Sequence, residues 1–400
     1  MRVIEVFAGA GGLGIGVSKA GFSPARIVEW DRWCCDTIRE NKRRGMPMVA
    51  NWPEPVERDV RDVDFRDLAG KIELVTGGPP CQPFSLGGKH RAHGDARDMW
   101  PQAVRVVRET KPKAFIFENV KGLTRWSFAT YLAYIVHQLT FPELVRREDE
   151  SWEDHLGRLE RHLTGRRRGA DSLAYRVVYR VLNAANHGIP QRRERIVFVG
   201  FRNDLGIEWS FPEETHSLDA LLWDQTRGDY WERHAAPKRS REIAPRYAHR
   251  ARRLESPTLK PWRTVRDAIG DLPDPEHEAG RAAGIANHRF QPGARAYPGH
   301  TGSPLDQPAK TLKAGVHGVP GGENMFFRPD GSLRYFTVRE SARLQTFPDD
   351  FVFHGSWGET MRQLGNAVPV ELAAIVARGV RESLGAKARM SDPRSQERPD

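Results

Sequence analysis

Apolar residues recur along this chain in two rhythms, and the change from one to the other divides it. Up to about residue 125, short apolar runs at Val3 to Val6, Arg26 to Glu29, Ile72 to Thr76 and Ala114 to Glu118 each give way to glycine, proline or acidic residues and then to helix-like stretches. That alternation predicts an α/β fold, a mainly parallel sheet with helices on both faces. Phe128, Tyr131, Leu132, Ile135, Val136 and Leu139 recur at the spacing of a helix with one apolar face. The stretch from 141 to 170 is charged and irregular, contains Arg166-Arg167-Arg168, and reads as an insertion or an exposed helix with a loop, more a solvated surface than a phosphate contact. Tyr175 to Leu182 and Arg195 to Phe201 then read as two strands joined by a loop holding Asn183, Gly188 and Pro190. Their close spacing predicts an antiparallel hairpin at a sheet edge.

Between about Arg202 and Tyr335 the alternation fades into short segments punctuated by proline, glycine, histidine and arginine. Periodicity returns near Arg339. Pro369 sits where the first turn of a final helix tolerates it, ahead of Leu372, Ile375, Val376 and Val380. The division expected is a first domain part over 1–201, a smaller loop-rich domain over 202–336, a return to the first domain over 337–385, and a disordered tail over 386–400.

Composition narrows the class. The chain has 400 residues, 39% of them apolar and 28% charged, which suits a globular protein of one large or two ordinary domains. No apolar run approaches 18 residues, so no membrane span is expected, and Glu5 interrupts what would be a signal peptide's apolar stretch. Three cysteines, two of them adjacent (Cys34, Cys35), form neither a disulfide framework nor a zinc pair, and fit a reducing cytoplasm. Lys and Arg total 62 against 52 Asp and Glu, a net charge of +10. An arginine-dominated surplus favours phosphate-bearing partners, because the guanidinium fork pairs two phosphate oxygens at once. Lys238, Arg239, Arg241, Arg246, Arg250, Arg252 and Arg253 concentrate part of it.

Candidate chemistry lies at the ends of the strands. Phe7-Ala8-Gly9-Ala10-Gly11-Gly12-Leu13-Gly14 follows the first strand and opens a helix, where glycines let a ligand approach the backbone. Glu29 ends the second strand, placed to accept hydrogen bonds from ribose hydroxyls. These parts suit an adenosine-containing ligand without saying which; a dinucleotide would use similar ones, and the glycines alone also suit a tight turn. After the third run comes Gly77-Gly78-Pro79-Pro80-Cys81-Gln82-Pro83-Phe84-Ser85, with prolines stiffening the turn around a lone cysteine. Such a cysteine is either a small buried residue or a nucleophile. Glu118, in Phe117-Glu118-Asn119-Val120, is the candidate acid beside it.

With these residues the chain resembles the cytosine-C5 DNA methyltransferases of bacterial restriction-modification systems. The motifs that carry the resemblance stand in family order: the loop at 7–14, Glu29-Trp30, Asp59-Val60, Pro80-Cys81-Gln82, Glu118-Asn119-Val120, Gln191-Arg192-Arg193-Glu194-Arg195, Arg339 to Phe351, and Gln363-Leu364-Gly365-Asn366-Ala367-Val368-Pro369. The resemblance covers about 1–200 and 337–385, and implies a Rossmann-like methyltransferase sheet plus a target recognition domain in the intervening segment.

It further implies that S-adenosylmethionine binds at Phe7, Ala8, Gly9, Gly11, Gly12, Glu29, Trp30, Asp59, Val60, Pro80, Asn366 and Ala367. Cys81 would add to cytosine C6, Glu118 would act at N3, and Arg193 and Arg195 would hold the base. An unperturbed thiol, with a pKa of about 8.5, is only a few per cent thiolate at neutral pH, so Cys81 needs help. The cytosine must leave the duplex stack, at a cost of a few kcal/mol. Ser85, Gly87, Lys89, Arg97, Gln191, Thr311 and Leu312 would contact duplex DNA, the first four in a mobile active-site loop over Ser85 to Trp100 and Thr311-Leu312 near sequence-reading loops. A generic strand and turn explains that last pair equally well. His90 and His93 lack a third ligand, so no metal is expected. A monomer, a cognate restriction endonuclease acting on the same site, and a cytoplasmic location, nucleoid-associated when on DNA, complete the expectation. An RNA cytosine methyltransferase is the nearest alternative. A dinucleotide-dependent oxidoreductase is a distant one, since it leaves Cys81, Glu118 and Gln191 to Arg195 without a role.

Overall fold

The structure, a computed structural model, describes residues 1–80, 98–165, 172–238, 241–296, 301–315, 324–328 and 330–390. Its centre is a seven-stranded sheet of β1 (Arg2–Val6), β2 (Ser23–Glu29), β3 (Val56–Glu57), β4 (Leu74–Gly77), β5 (Ala114–Val120), β6 (Tyr175–Asn183) and β7 (Glu194–Arg202), in the order β3-β2-β1-β4-β5-β7-β6. The first five run parallel; β7 lies antiparallel to β5, and β6 antiparallel to β7 at the edge. The four expected early strands and the edge hairpin are thus present. The strand order reverses between β1 and β4, and in open α/β sheets the crevice outside the carboxyl ends at that reversal is where ligands bind.

Alternation along the strands feeds two cores. Ile4, Val6, Phe115 and Phe117 point to one, covered by α3 (Trp100–Thr110) and α4 (Ala129–Thr140); Val3, Ala114 and Ile116 point to the other. On that second face α1 (Gly12–Lys19) lies against the last helix, α13 (Val370–Met390), and the two approach closely because Gly12 and Gly16 lack side chains. A Cβ on Gly12 would stand 2.6 Å from the Val368 carbonyl, and one on Gly16 would strike the backbone at Val370. A third core, with Ile15, Ile27 and Ile38, joins α2 (Arg32–Arg43) to the returning segment through Phe347, Phe351 and Leu364.

Two expectations change. The charged stretch after 141 holds α5 (Trp152–Thr164), which buries His155, Leu156 and Leu159 against α4. His155 bridges the Tyr134 hydroxyl and the Leu144 carbonyl, so one face of the insertion is core and only the other is solvated. At the far end α13 continues to Met390, five residues into the expected tail; 391–400 lie outside the described residues.

The intervening segment carries α6 (Leu218–Arg227) and short elements only: β8 (His216–Ser217), α7 (Tyr230–Arg233), α8 (Ala248–Arg252), β9 (Lys260–Pro261), α9 (Val265–Ile269), α10 (Ala279–Ala282), β10 (Ser303–Pro304), β11 (Met325–Phe327) and β12 (Leu333–Tyr335). A small core of Val265, Ile269, Leu312, Phe326 and Phe336 holds part of it together and reaches Leu344 of α11 (Val338–Leu344), which precedes α12 (Trp357–Asn366). Among the described residues no helix is long and apolar enough to cross a membrane.

Candidate active site

The loop after β1 begins with Phe7 in the left-handed region at φ 56°, a conformation costly for a side chain of that size and typical of ligand sites. Gly9 follows at φ 55°, and a Cβ there would meet nothing within 4 Å, so open space lies over the loop. Across it, Glu29 is 6% exposed and accepts from the amides of Gly9 (2.7 Å), Trp30 (3.0 Å) and Asp31 (2.9 Å). A carboxylate offers about four acceptor positions, so capacity remains for a hydroxyl. Burial raises the Glu29 pKa, and the three amides oppose that rise. Trp30, next to it, leaves 72% of its surface in solvent, an unused apolar face at the rim of this space. The expected adenosine-binding parts therefore converge, and their geometry fits S-adenosylmethionine.

Three of the expected contacts, Gly12, Asp59 and Ala367, have other occupations. Gly12 faces the return segment, not the open space. Asp59 is held by Arg61 through its guanidinium (2.6 and 3.0 Å) and its amide (2.9 Å), so an adenine amino group would have to share its oxygens. Asn366, the last residue of α12, is exposed, while Ala367 is buried and its carbonyl accepts from Arg193 at 2.8 Å.

Glu5 is a residue whose importance the sequence reading missed. It is 1% exposed beneath the start of α1, neither oxygen has a well-aligned partner, and burial pushes its carboxyl up to about 8. A Cβ on Gly14 would collide with it, so the glycine of the loop makes room for the acid. A glutamate inside an otherwise apolar strand was the available signal.

The acid and its partner come from adjacent antiparallel strands. Val120 of β5 pairs with Arg195 of β7, which places Glu118, two residues back on the same face, diagonally across from Arg195. Arg195 Nε reaches Glu118 Oε1 at 2.7 Å, with 12% and 10% of the two side chains exposed. Burial raises the Glu118 pKa, and the charges of Arg195 and Arg193 pull it back only in part. Its second oxygen faces Gly78, where a Cβ would sit 3.3 Å away. The neighbouring Asn119 donates to the Pro79 carbonyl at 2.9 Å and thereby ties β5 to the turn that carries Pro80. Pro80 is the last described residue before 81. Cys81, Ser85, Gly87, Lys89 and Arg97 lie outside the described residues. Of the other cysteines, both buried, burial pushes Cys35 up to about 12 and Cys34 higher, which makes them poor nucleophiles.

The remaining motif residues form a web instead of a surface. Arg193 is fully buried and donates to the carbonyls of Leu312 (3.0 Å), Gly365 (2.7 Å) and Ala367. Gln191, also at 0% exposure, donates to the Leu344 carbonyl at 3.3 Å and accepts from the Leu312 amide at 3.1 Å. Arg193, Gln191 and Leu312, expected at the base and the DNA, are each at 0% exposure here, with their polar groups turned to protein backbone. Apart from the Arg193 Nε, which is buried without a partner, their polar groups are engaged with backbone, and together they join the β6–β7 loop, the segment at 309–314 and the motif at 363–369. Thr311 stays half-buried, its hydroxyl donating to the Arg192 carbonyl at 2.6 Å. Among the described residues one group could hold a metal ion, Asp274, Glu276 and His277, but Arg328 already pairs with both carboxylates.

Comparison with known proteins agrees with this geometry. Residues 1–141 and 168–382 match the family described as C-5 cytosine-specific DNA methylase, leaving out the segment that bears α5. Over 394 residues the chain is 30% identical to the type II methyltransferase M.PspPI of Psychrobacter, covering 96% of this chain and 80% of that one. It is 31% identical to M.XorII of Xanthomonas oryzae over 405 residues, with 96% and 85% covered. Among solved structures, the Dnmt2 methyltransferase of S. pombe superposes with a TM-score of 0.54 at 16% identity, covering 96% of this chain and 99% of that one.

Proposed function

The chain belongs to the C-5 cytosine-specific DNA methylase family, a type II DNA cytosine-5-methyltransferase acting on duplex DNA, and on that premise we propose how its residues share the work. The observation that carries the proposal is the buried Glu118–Arg195 pair at the end of β5, beside the turn leading to Cys81. Cytosine C5 is a weak nucleophile until something adds to C6. The Cys81 thiolate supplies that addition, forming an S–C6 bond as the ring's electron pair moves toward C5. Glu118, with a pKa raised by burial, holds the proton that N3 needs as negative charge builds on the ring. Arg195 fixes the orientation of Glu118. Arg193 acts one step further away, as the tie that keeps β7 against the return motif.

S-adenosylmethionine, when bound, would supply C5 with a methyl group whose bond to the sulfonium breaks as the C5–methyl bond forms. Glu29 would accept from its ribose hydroxyls, Trp30 would offer its open face to the adenine, and the loop at Phe7 to Gly11 would hold the methionine end. Once C5 carries the methyl group, solvent water takes the C5 proton, its electron pair restores the C5–C6 double bond, the S–C6 bond breaks to return Cys81 as thiolate, and the N3 proton goes back to Glu118. Residues 202–336 serve as the target recognition domain, and the protein works as a monomer beside an endonuclease that reads the same site. An RNA substrate is not favoured, because the relatives at 30% identity or more are type II methyltransferases.

The test is transfer of labelled methyl from S-adenosylmethionine to plasmid DNA or to transfer RNA, with 5-methylcytosine mapped on the plasmid. Label on the plasmid at one short sequence is expected, together with its complete loss in Cys81→Ser while cofactor binding persists. Substantial turnover by the serine variant would overturn the mechanism.

A further inference from the structure

Trp126 is 91% exposed, more than any other large apolar side chain among the described residues. It does not sit on a loose tip. After β5 the chain makes two short 3₁₀ turns, Lys121–Thr124 and Trp126–Phe128, and buries Leu123 (0% exposed) and Phe128 (9%) on either side of the tryptophan. The Arg125 amide donates to the Gly122 carbonyl at 3.2 Å and the Phe128 amide to the Arg125 carbonyl at 2.8 Å. Lys121 pairs at 2.8 Å with Glu194, the neighbour of Arg195. The fold therefore holds an indole out into water on a turn anchored by its buried neighbours Leu123 and Phe128.

Position says what covers it. The two turns leave the carboxyl end of β5 directly after Glu118-Asn119-Val120, and Lys121 ties them to Glu194 beside Arg195, so Trp126 stands on the edge of the sheet that carries the Glu118–Arg195 pair. A duplex that delivers a cytosine to Glu118 approaches that same edge. Arg125 beside the indole is exposed and makes no ion pair among the described residues, which suits a phosphate. A protein partner seated here would compete with the substrate for the same edge. We propose that Trp126 is a DNA-positioning residue, its ring packed on the sugar and base edge of the strand flanking the target cytosine, with Arg125 on the adjacent phosphate. This rests on the reading of the site as one that takes duplex DNA.

The experiment measures steady-state methylation of a duplex oligonucleotide carrying the site mapped on the plasmid. In Trp126→Ala the KM for DNA should rise on the order of ten-fold. Its kcat, S-adenosylmethionine affinity and Tm should match the wild type. Trp126→Phe should recover most of the affinity, and Arg125→Ala should reduce the slope of log Kd against log salt by about one. An unchanged KM in Trp126→Ala overturns the assignment, as does a loss accompanied by lower Tm or cofactor affinity, which would make the residue scaffold. Sedimentation showing an oligomer that dissociates in Trp126→Ala would assign the indole to a second copy of the chain. Failure of the wild type to methylate any duplex would sink the DNA reading itself, and this assignment with it.

Discussion

At the scale of single residues, two buried acids have opposite tasks. Glu118 is paired with Arg195 at the end of β5; Glu5 has no countercharge and stands beneath the glycine loop. Replacing Glu118 by Gln keeps its shape but removes a carboxyl able to exchange a proton with the base, so kcat should fall by a factor on the order of 10² or more while DNA binding persists, as measured by single-turnover methylation and a binding titration. A wild-type rate would exclude Glu118 from the chemistry. For Glu5 the folded-state pKa lies near 8 against 4.5 for the free group, so folding favours the protonated form. Its contribution to stability is complete below about pH 4.5 and is lost as pH rises toward 8, at about 1.4 kcal/mol per unit. Glu5→Gln should therefore flatten the dependence of Tm on pH between 5 and 8 and raise Tm at the upper end. Parallel melting curves for the two proteins would show that the carboxyl is not neutral in the fold.

At the scale of elements, α12 offers two glycines with opposite requirements. A Cβ on Gly365 would overlap the backbone at Lys313 and Ala314, where the segment at 309–314 crosses the helix; a Cβ on Gly358 would meet nothing within 4 Å. Gly365→Ala should cost about 1–3 kcal/mol through forced separation of the two backbones, whereas Gly358→Ala should stabilise by up to about 1 kcal/mol of helix propensity. Urea denaturation of both variants checks the pair, and equal midpoints would mean that the crossing is looser than drawn. The same crossing explains the positions of Gln191, Arg193 and Leu312. These motif residues read from the sequence as contacts to substrate, yet their partners are carbonyls and amides more than a hundred residues away in the chain. The strand rhythm was legible because alternation and apolar runs are local properties; the web was not, because sequence adjacency carries no record of what a side chain meets across the fold.

At the scale of the whole molecule, the charge surplus is unevenly available. Arg250 is bound to Asp219 at 2.5 and 3.0 Å and is therefore not a free cation, whereas Arg246 donates at 2.7 Å to the neutral Gln307 amide and keeps its charge. Arg252 and Arg253 are exposed, with no ion pair among the described residues. Changing both to Ala should lower affinity for all DNA sequences alike and reduce the salt slope by about two, while Arg250→Ala should move the slope less. Equal slopes in the two variants, read from titrations at several salt concentrations, would reverse that ranking.

The sequence alone determined the parallel sheet, the edge hairpin, the glycine loop with Glu29 at the ends of the first two strands, and the family. Each is written in neighbouring residues, either as periodicity or as a motif whose spacing the chemistry demands. Tertiary structure alone decided three further things: that Arg195 and not Arg193 meets Glu118, that the insertion after 141 has a buried face, and that Glu5 is buried under the loop without a countercharge. In each case the deciding quantity is burial or a contact between distant segments. Strand pairing sets which arginine lies diagonally across from the acid, and exclusion of water sets which carboxyl keeps its proton.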